Sequence, residues 1–294
     1  MFEEFFGNYL VKSGKLSREQ FTNVKEVMKT ARVKLGIIAV SEKLLTAKQA
    51  DEVNRLQAVM DKRFGDIAVE KGYLTDSQVG HLLSLQGNPY MQFVQAVTEN
   101  GYMTMDDVEA DILAYKDALK LSDEDITSIK SGDVDKISSV FVTPDNMLCK
   151  NLVGLGIRNI VRFISTAVSF GPIEKIDSYV YESIAAQSVK GDHSILFAFS
   201  GKGTSLLSIA NPFAKEEFTA IDEDSFDSVC EFINCINGLY ASALSKDDIN
   251  IDMEPPIFYQ NGSLSAGTIY KLPMTITDND IDLLVVIDND YKFN

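Results

Sequence analysis

The chain has 294 residues, of which 45% are hydrophobic and 24% are charged, and its formal net charge is −16. This length suits about two domains, and the composition is that of a folded globular protein and not of a disordered chain. The acidic excess argues against binding of DNA or RNA, because phosphate contacts need clustered Lys and Arg. With two His, three Cys and no CxxC or HExxH motif, the sequence also excludes a Cys/His zinc site.

Three features of the sequence indicate the cellular location. The chain opens with the acidic segment 1–4, whereas a secretion signal would be basic there. No apolar run approaches the roughly 20 residues of a membrane span. The odd number of cysteines gives no disulfide framework, which suits a reducing compartment. The sequence therefore predicts a cytoplasmic protein without a membrane span, and we expect Cys230 and Cys235, which share a predicted helix, to be buried.

The charge is unevenly distributed along the chain. Residues 1–90 hold 13 basic and 11 acidic residues, residues 91–143 hold 4 and 11, and residues 144–294 hold 10 and 21. The net charges of these segments are therefore +2, −7 and −11. The first segment is the part of the chain that can accept a small anion on electrostatic grounds.

The N-terminal part of the chain repeats with a period of 29 residues. Four columns keep this step: Gly7, Gly36 and Gly65; Gly14, Lys43, Gly72 and Gly101; Leu16, Leu45, Leu74 and Met103; and Ser17, Thr46, Thr75 and Thr104. Each copy predicts a helix, a turn and a second helix. The turn glycine suits a left-handed backbone, and the Ser or Thr can form a capping box with the Gln or Asp three residues later. We expect an all-α helical-repeat domain over residues 1–120.

The two middle copies resemble a known nucleotide-binding motif. Copy two runs from Lys34-Leu35-Gly36 to Gln57, and copy three runs from Arg63-Phe64-Gly65 to Gln86. Each is 24 residues long, and residues 58–62 separate them. This spacing resembles the MshEN family, the N-terminal domain of type II secretion and pilus ATPases. The cyclic di-GMP-binding members of that family carry two such motifs with a spacer of the same length.

The resemblance implies a cyclic di-GMP site in the helical domain. Its residues would be Lys34, Gly36, Gln57, Arg63, Gly65, Gly72 and Gln86. Arg63 would face a guanine or a phosphate, because a planar guanidinium pairs with two acceptors and stacks on a base. Copy two departs from the pattern, with Lys34 in place of Arg and Lys43 in place of the turn glycine. A related fold used for protein contacts is the alternative.

An acidic helical connector is predicted over residues 121–143, before a second domain over residues 144–294. Apolar residues at helical spacing predict helices over 146–167 and 224–244. Strand-like stretches lie between and after them, at 179–188, 194–199, 253–259, 268–277 and 281–288. This pattern predicts an α+β domain in which long helices pack on a mostly antiparallel sheet. The whole chain is thus predicted to be an α+β protein of two domains.

The predicted helix 224–244 separates its residues onto two faces. The apolar residues recur at steps of three and four: Val229, Phe232, Ile233, Ile236 and Tyr240. The opposite face carries polar and small residues: Asp227, Glu231, Asn234 and Gly238. Such periodicity places the first set against the core and the second set towards solvent. Composition alone favours a solvated surface for this polar strip.

The same helix resembles the ExxN helix of the CheC/CheX family of chemotaxis phosphatases, in which a glycine follows the motif. Glu231, Asn234 and Gly238 match that motif. Residues 255–257 resemble the proline turn into a strand of that family, and residues 190–194 resemble its central hairpin. A single ExxN motif is more similar to CheX than to CheC, which has two motifs.

The resemblance implies a signalling protein that hydrolyses the aspartyl phosphate of a CheY-like receiver in a chemotaxis or two-component pathway. Asn234 would position a water molecule and Glu231 would engage a receiver lysine. Mg²⁺ would be bound by the receiver, and this chain would need no cofactor of its own. The helical domain would then regulate this activity. The alternative is a non-catalytic adaptor that binds signalling or motility proteins, with or without cyclic di-GMP, and the sequence leaves open whether the chain forms a homodimer.

Overall fold

The computed structural model describes residues 1–30 and 32–294, and the chain divides into two compact units. The first unit is Phe2–Asp133, and the second is Val134–Asn294. The segment predicted as an acidic connector contributes one helix to each unit. Among the residues described, none of the helices combines the length and the apolar character that crossing a membrane requires.

Helices form the first unit. Their bounds are Phe2–Lys12 (α1), Arg18–Thr30 (α2), Leu35–Ser41 (α3), Ala47–Met60 (α4), Phe64–Glu70 (α5), Asp76–Ser84 (α6), Pro89–Glu99 (α7), Met105–Leu119 (α8) and Asp123–Ser131 (α9). The first eight follow one another as four pairs, and the second helix of each pair starts directly after the Ser or Thr column of the sequence repeat. Element positions therefore recur in step with the sequence.

Capping boxes start the second helix of each pair. The hydroxyl groups of Thr46, Thr75 and Thr104 each accept a hydrogen bond from the backbone N–H three residues later. The side chain at that later position accepts a hydrogen bond from the backbone N–H of the Thr. Ser17 and Gln20 form the same pair of bonds at α2. Each box satisfies two backbone N–H groups that a helix start leaves without an intrahelical partner. The predicted capping boxes are confirmed in all four copies.

The turn column adopts a left-handed backbone. The φ angle is +73° at Gly14, +71° at Gly72 and +69° at Gly101, and Lys43 holds φ at +57° in the second copy. Glycine enters this region without the Cβ clash that other residues meet. The predicted left-handed turn is confirmed, and the second copy forms it without a glycine.

A second glycine column lies where the two helices of a pair touch. A Cβ on Gly7 would lie 2.1 Å from the Phe21 ring, and a Cβ on Gly65 would lie 2.7 Å from the Val79 side chain. In both pairs the contacted residue is 14 positions further along the chain. These glycines let the first helix of a pair approach the second closely.

The second unit combines helices with one sheet. Its elements are Val134–Phe141 (α10), Met147–Phe163 (α11), Val168–Phe170 (β1), Glu174–Gly191 (β2), Ile195–Gly201 (β3), Leu207–Ala214 (α12), Glu223–Leu244 (α13), Ile251–Met253 (β4), Ile257–Ile276 (β5), Asn279–Ile287 (β6) and Tyr291–Phe293 (β7). All strand pairs are antiparallel. The predicted α+β class with an antiparallel sheet is confirmed.

The central strands of the sheet pair in a closed cycle. β2 pairs with β3, β3 with β6, β6 with β5, and the long strand β5 returns to β2. β1 and β7 add to β5, and β4 adds to β2 beyond the point where β5 pairs with it. Strand β2 therefore runs through the centre of the unit and has partners on both edges.

The two sides of the sheet have different neighbours, because successive strand residues point in opposite directions. One side carries a buried apolar cluster that includes Ala186 and Leu196. On the other side, the Phe199 ring stacks on Phe232 of α13, with 5.9 Å between the ring centroids. A Cβ on Gly156 of α11 would lie 3.2 Å from the Phe197 ring. Helices α11 and α13 thus pack on one side of the sheet and place α13 against β2 and β3.

The predicted strand over residues 253–259 is wrong in one respect, because it is not continuous. β4 ends at Met253, and β5 begins at Ile257. Pro255 and Pro256 stand between them, and proline lacks the N–H group that a strand ladder needs. β4 and β5 follow one another along the same edge of β2, and this break separates them.

Candidate functional site

Helix α13 carries the candidate site of the second unit. Asp222 caps its start, accepting from the backbone N–H of Ser225, whose hydroxyl oxygen accepts from the N–H of Asp222. Acidic residues in the first turn stabilise this end of the helix through its dipole. The five apolar residues predicted to face the core are all buried, at 3% exposure or less. The predicted division of the helix into a buried apolar face and an outer polar face is confirmed.

The outer face of α13 brings Glu231 and Asn234 together one turn apart. Glu231 is exposed and makes no hydrogen bond or ion pair with the part of the chain that the structure describes. Asn234 is half-buried. Leu239 and Met253 expose 51% and 45% of their surface, and Met253 lies against Gly238. The face therefore combines a free carboxylate, an amide and apolar side chains.

A buried glutamine holds Asn234 from beneath. Nε2 of Gln187, in β2, donates to Oδ1 of Asn234 at 2.9 Å and to the backbone carbonyl of Glu254 at 2.9 Å. Oε1 of Gln187 accepts from Nδ2 of Asn237 at 2.9 Å. Gln187 is 1% exposed and Asn237 is 2% exposed. Sequence reasoning missed Gln187, although an amide at the position between Ala185 and Val189 on one face of a strand is a signal for a buried polar partner.

The prediction that both cysteines of α13 are buried is wrong for Cys235. Cys230 is buried and its Sγ lies 3.9 Å from the Ile257 carbonyl, but Cys235 is exposed. Five residues of an α-helix turn through about 500°, so the two side chains point about 140° apart. Burial, followed by the nearby carboxylates of Asp227 and Glu231, raises the pKa of the Cys230 thiol to about 12. Partial burial and then Glu231 also raise the pKa of Cys235.

The described residues contain no cluster of three or more His, Cys, Asp or Glu side chains arranged to hold a metal ion.

In the first unit, the two cationic residues of the predicted nucleotide site stand at helix starts. Lys34 is the N-cap of α3, and its Nζ lies 2.6 Å from Oε1 of Glu99. Arg63 is the N-cap of α5, and its guanidinium donates two hydrogen bonds to Asp66, at 3.0 and 3.2 Å. The Arg63 side chain is 88% exposed. Both cations are accessible, and each already has a carboxylate partner.

The glycines of the predicted site have packing roles. A Cβ on Gly36 would lie 3.1 Å from the Phe64 ring, and Gly65 faces Val79. Gly72 provides the left-handed turn after α5 and has no neighbouring atom within 4 Å of where its Cβ would be. Helix packing and turn geometry are therefore sufficient reasons for glycine at all three positions.

The glutamine that ends each motif contacts the residue just before the start of the other motif. Nε2 of Gln57, in copy two, donates to the carbonyl of Lys62, which precedes Arg63 of copy three. Nε2 of Gln86, in copy three, donates to the carbonyl of Val33, which precedes Lys34 of copy two. The structure thus places the end of each motif beside the start of the other. The sequence does not show this exchange, because the second contact spans 53 residues.

A protein-family model matches part of the second unit. A model described as "Chemotaxis phosphatase CheX" matches residues 183–275, which include β3, α12, α13 and β4 and parts of β2 and β5. The predicted resemblance of the C-terminal region to CheX is confirmed by this match. It does not reach the first unit, where the resemblance to MshEN stays a prediction. None of the curated proteins compared with the chain matches it.

Solved structures similar to this chain also cover about half of it. A CheX chemotaxis protein from Desulfovibrio desulfuricans is 12% identical, with a TM-score of 0.42 over 48% of this chain and 99% of that one. A CheC-like superfamily protein from Shewanella sp. PV-4 is 17% identical, with a TM-score of 0.43 over 48% and 98%. The complex of CheX with CheY, BeF₃ and Mg²⁺ from Borrelia burgdorferi gives 15% identity and a TM-score of 0.34 over 46% and 94%.

Proposed function

We propose that the second unit hydrolyses the aspartyl phosphate of a CheY-like receiver in a chemotaxis or two-component pathway. The observation that carries the proposal is the outer face of α13, which lies inside the region matched by the CheX family model. On this face Glu231 is free for a partner, and Asn234 is held by a buried hydrogen bond. A solvated helix face does not need an amide held by a buried side chain, as Asn234 is by Gln187.

The chemistry asks little of the protein. An acyl phosphate is already reactive, so catalysis consists of placing water in line with the P–O bond that breaks. The water oxygen bonds to phosphorus, the electrons of the P–O bond that breaks go to the aspartyl carboxylate, and inorganic phosphate leaves with both hydrogens of the water. The amide of Asn234 is neutral and can therefore lie beside the phosphoryl group without charge repulsion. Glu231 docks a lysine of the receiver, and Mg²⁺ is bound by the receiver.

Decay of phosphorylated receivers tests this proposal. Receivers from the same organism are phosphorylated with a small-molecule phosphodonor, and loss of phosphate is followed with and without the protein. We expect the wild-type protein to accelerate decay and Asn234→Ala to lower this acceleration about 100-fold, because the water is no longer placed. Asn151→Ala, at an exposed position of α11, is the matched control and should act like wild type. A wild-type protein that binds a receiver without accelerating decay would contradict the proposal and favour the adaptor.

We also propose that the first unit is a regulatory domain, and that cyclic di-GMP is the ligand to test first. The observation that favours it is the crossover of Gln57 and Gln86, which places each beside the cationic start of the other motif. Calorimetry with cyclic di-GMP should give a binding isotherm that Arg63→Ala abolishes. Arg55→Ala, on the same unit but outside the seven residues, is the control. A flat titration of the wild-type protein ends this proposal.

A further inference from the structure

The amide groups around Asn234 form one directed network. Gln187 uses both hydrogens of Nε2, one for Oδ1 of Asn234 and one for the Glu254 carbonyl, and its Oε1 accepts from Asn237. These partners come from β2, from α13 and from the segment that follows β4. The network therefore links the helix face to two other parts of the second unit.

The Glu254 carbonyl fixes the direction of every bond in this network. A backbone carbonyl can only accept a hydrogen bond, so the Gln187 atom facing it is the amide nitrogen. Oε1 of Gln187 then lies on the other branch, where it needs a donor, and Asn237 supplies one. Nε2 of Gln187 likewise needs an acceptor at Asn234, and only Oδ1 can serve. Reversing any of these amides would oppose two acceptors or two donors, and a buried polar group left without a partner is destabilising.

This direction determines which atom Asn234 offers to a partner. Oδ1 points inward to Gln187, and Nδ2 makes no hydrogen bond within the described part of the chain. We infer that Gln187 is a positioning residue that holds Asn234 with Nδ2 outward, so that the site presents an N–H donor to an oxygen lone pair at the reacting phosphoryl centre. This inference rests on the proposed phosphatase function. It adds the residue that orients the Asn234 amide and the orientation that the proposed function requires.

Two substitutions at Gln187 test the inference by opposite means. Gln187→Met keeps the length of the side chain and removes all its hydrogen bonds, which frees the Asn234 amide to rotate. Gln187→Glu replaces the donor with a carboxylate, which draws Nδ2 of Asn234 inward. We expect both variants to lower the maximal rate of receiver dephosphorylation at least tenfold while the Kd for the receiver stays within twofold, because Glu231 and the apolar contacts are unchanged.

A matched control separates positioning from general destabilisation. Asn159 of α11 is also a buried amide, and its Nδ2 donates to the Leu155 carbonyl outside this network. Asn159→Leu should lower the midpoint of thermal unfolding as the Gln187 variants do, yet leave the dephosphorylation rate at the wild-type level. If Gln187→Met and Gln187→Glu keep the wild-type rate while the wild-type protein is active, the inference is overturned.

Side-chain amide NMR of the full-length protein tests the orientation without any activity. Both Nε2 protons of Gln187 should exchange slowly with solvent, and both Nδ2 protons of Asn234 should exchange fast. The Asn234 side chain should occupy a single rotamer. Gln187→Met should convert the Asn234 signals to rotamer averages. Protected Nδ2 protons at Asn234 in the wild-type protein would overturn the inference even if every Gln187 variant failed to fold. A wild-type protein that is inactive with every receiver refutes the proposed function instead, and the NMR result then decides the orientation separately.

Discussion

The thiol of Cys235 lies beside Asn234 on the outer face of α13 and reports on the charge at that face. Its pKa is raised by partial burial and by the carboxylate of Glu231, while Cys149 and Cys230 are buried and have raised pKa values for the same first reason. A thiol reacts through its thiolate, so the rate of alkylation at a fixed pH measures the thiolate fraction. Cys235 is therefore a probe placed next to the candidate site.

We predict that iodoacetamide labels Cys235 first in the folded protein near pH 8. Glu231→Gln should lower the pKa of Cys235 by removing an anion, which increases the thiolate fraction and moves the whole rate profile to lower pH. Asp227→Asn is the control, because Asp227 acts on Cys230 and not on Cys235. Peptide mass spectrometry identifies the modified residue. Equal labelling of all three cysteines, or a profile that Glu231→Gln leaves in place, would contradict the description of this face.

At the scale of the elements, the stability of the first unit depends on the backbone conformation at individual glycines. Two glycines that differ in this conformation allow its contribution to be measured. Gly72 and Gly80 both have open space where a Cβ would be added. They differ in conformation, since Gly72 has φ at +71° after α5 and Gly80 lies inside α6. An alanine at each position therefore tests the backbone alone.

Gly72→Ala should lower the free energy of unfolding by about 1 kcal/mol, because an L-residue is strained at positive φ. Gly80→Ala should raise it by about 0.5–1 kcal/mol, because alanine is the better helix former and the unfolded chain loses freedom. Chemical denaturation followed by circular dichroism measures both changes. Changes of the same sign would show that the turn after α5 is not left-handed in solution.

At the scale of the whole molecule, the net charge of −16 affects how a partner approaches. Residues 144–294 carry 10 basic and 21 acidic residues, a net charge of −11. The contact proposed at Glu231 is local, whereas the repulsion of an acidic receiver acts over a distance that salt shortens to about 10 Å at 0.1 M. Attraction and repulsion can therefore be told apart by their dependence on salt.

We predict that the association rate constant with an acidic receiver rises as NaCl increases from about 0.05 M to about 0.5 M, because long-range repulsion is screened. Stopped-flow measurement of binding gives this rate. Glu231→Gln should change the dissociation rate constant more than it changes the salt dependence of the association rate constant, because one charge contributes little to the total net charge. An association rate that falls with salt would indicate a steering basic surface, which the charge distribution of the second unit does not predict.

Much of the local structure follows from the sequence, because its causes lie within a few residues. The capping boxes join residues three positions apart, and the turn glycines adopt a left-handed backbone because they lack a Cβ. The apolar face of α13 follows the 3.6-residue period. The short strands β1 and β7, of three residues each, escaped prediction, because so few residues give no alternation to read. The two prolines at 255 and 256 are a signal for the break, although the predicted strand 253–259 runs through them.

The sequence by itself determined the faces of α13, the caps and turns of the first unit, and the positions of Glu231 and Asn234 one turn apart. The tertiary structure alone decided that Gln187 lies beneath Asn234, and that Gln86 meets the start of the other motif. The contacts of Gln187 span 47, 50 and 67 residues, so they depend on how β2, β4 and α13 come together. Periodicity shows which side of an element is buried, whereas strand register and helix packing select the individual side chains that meet there.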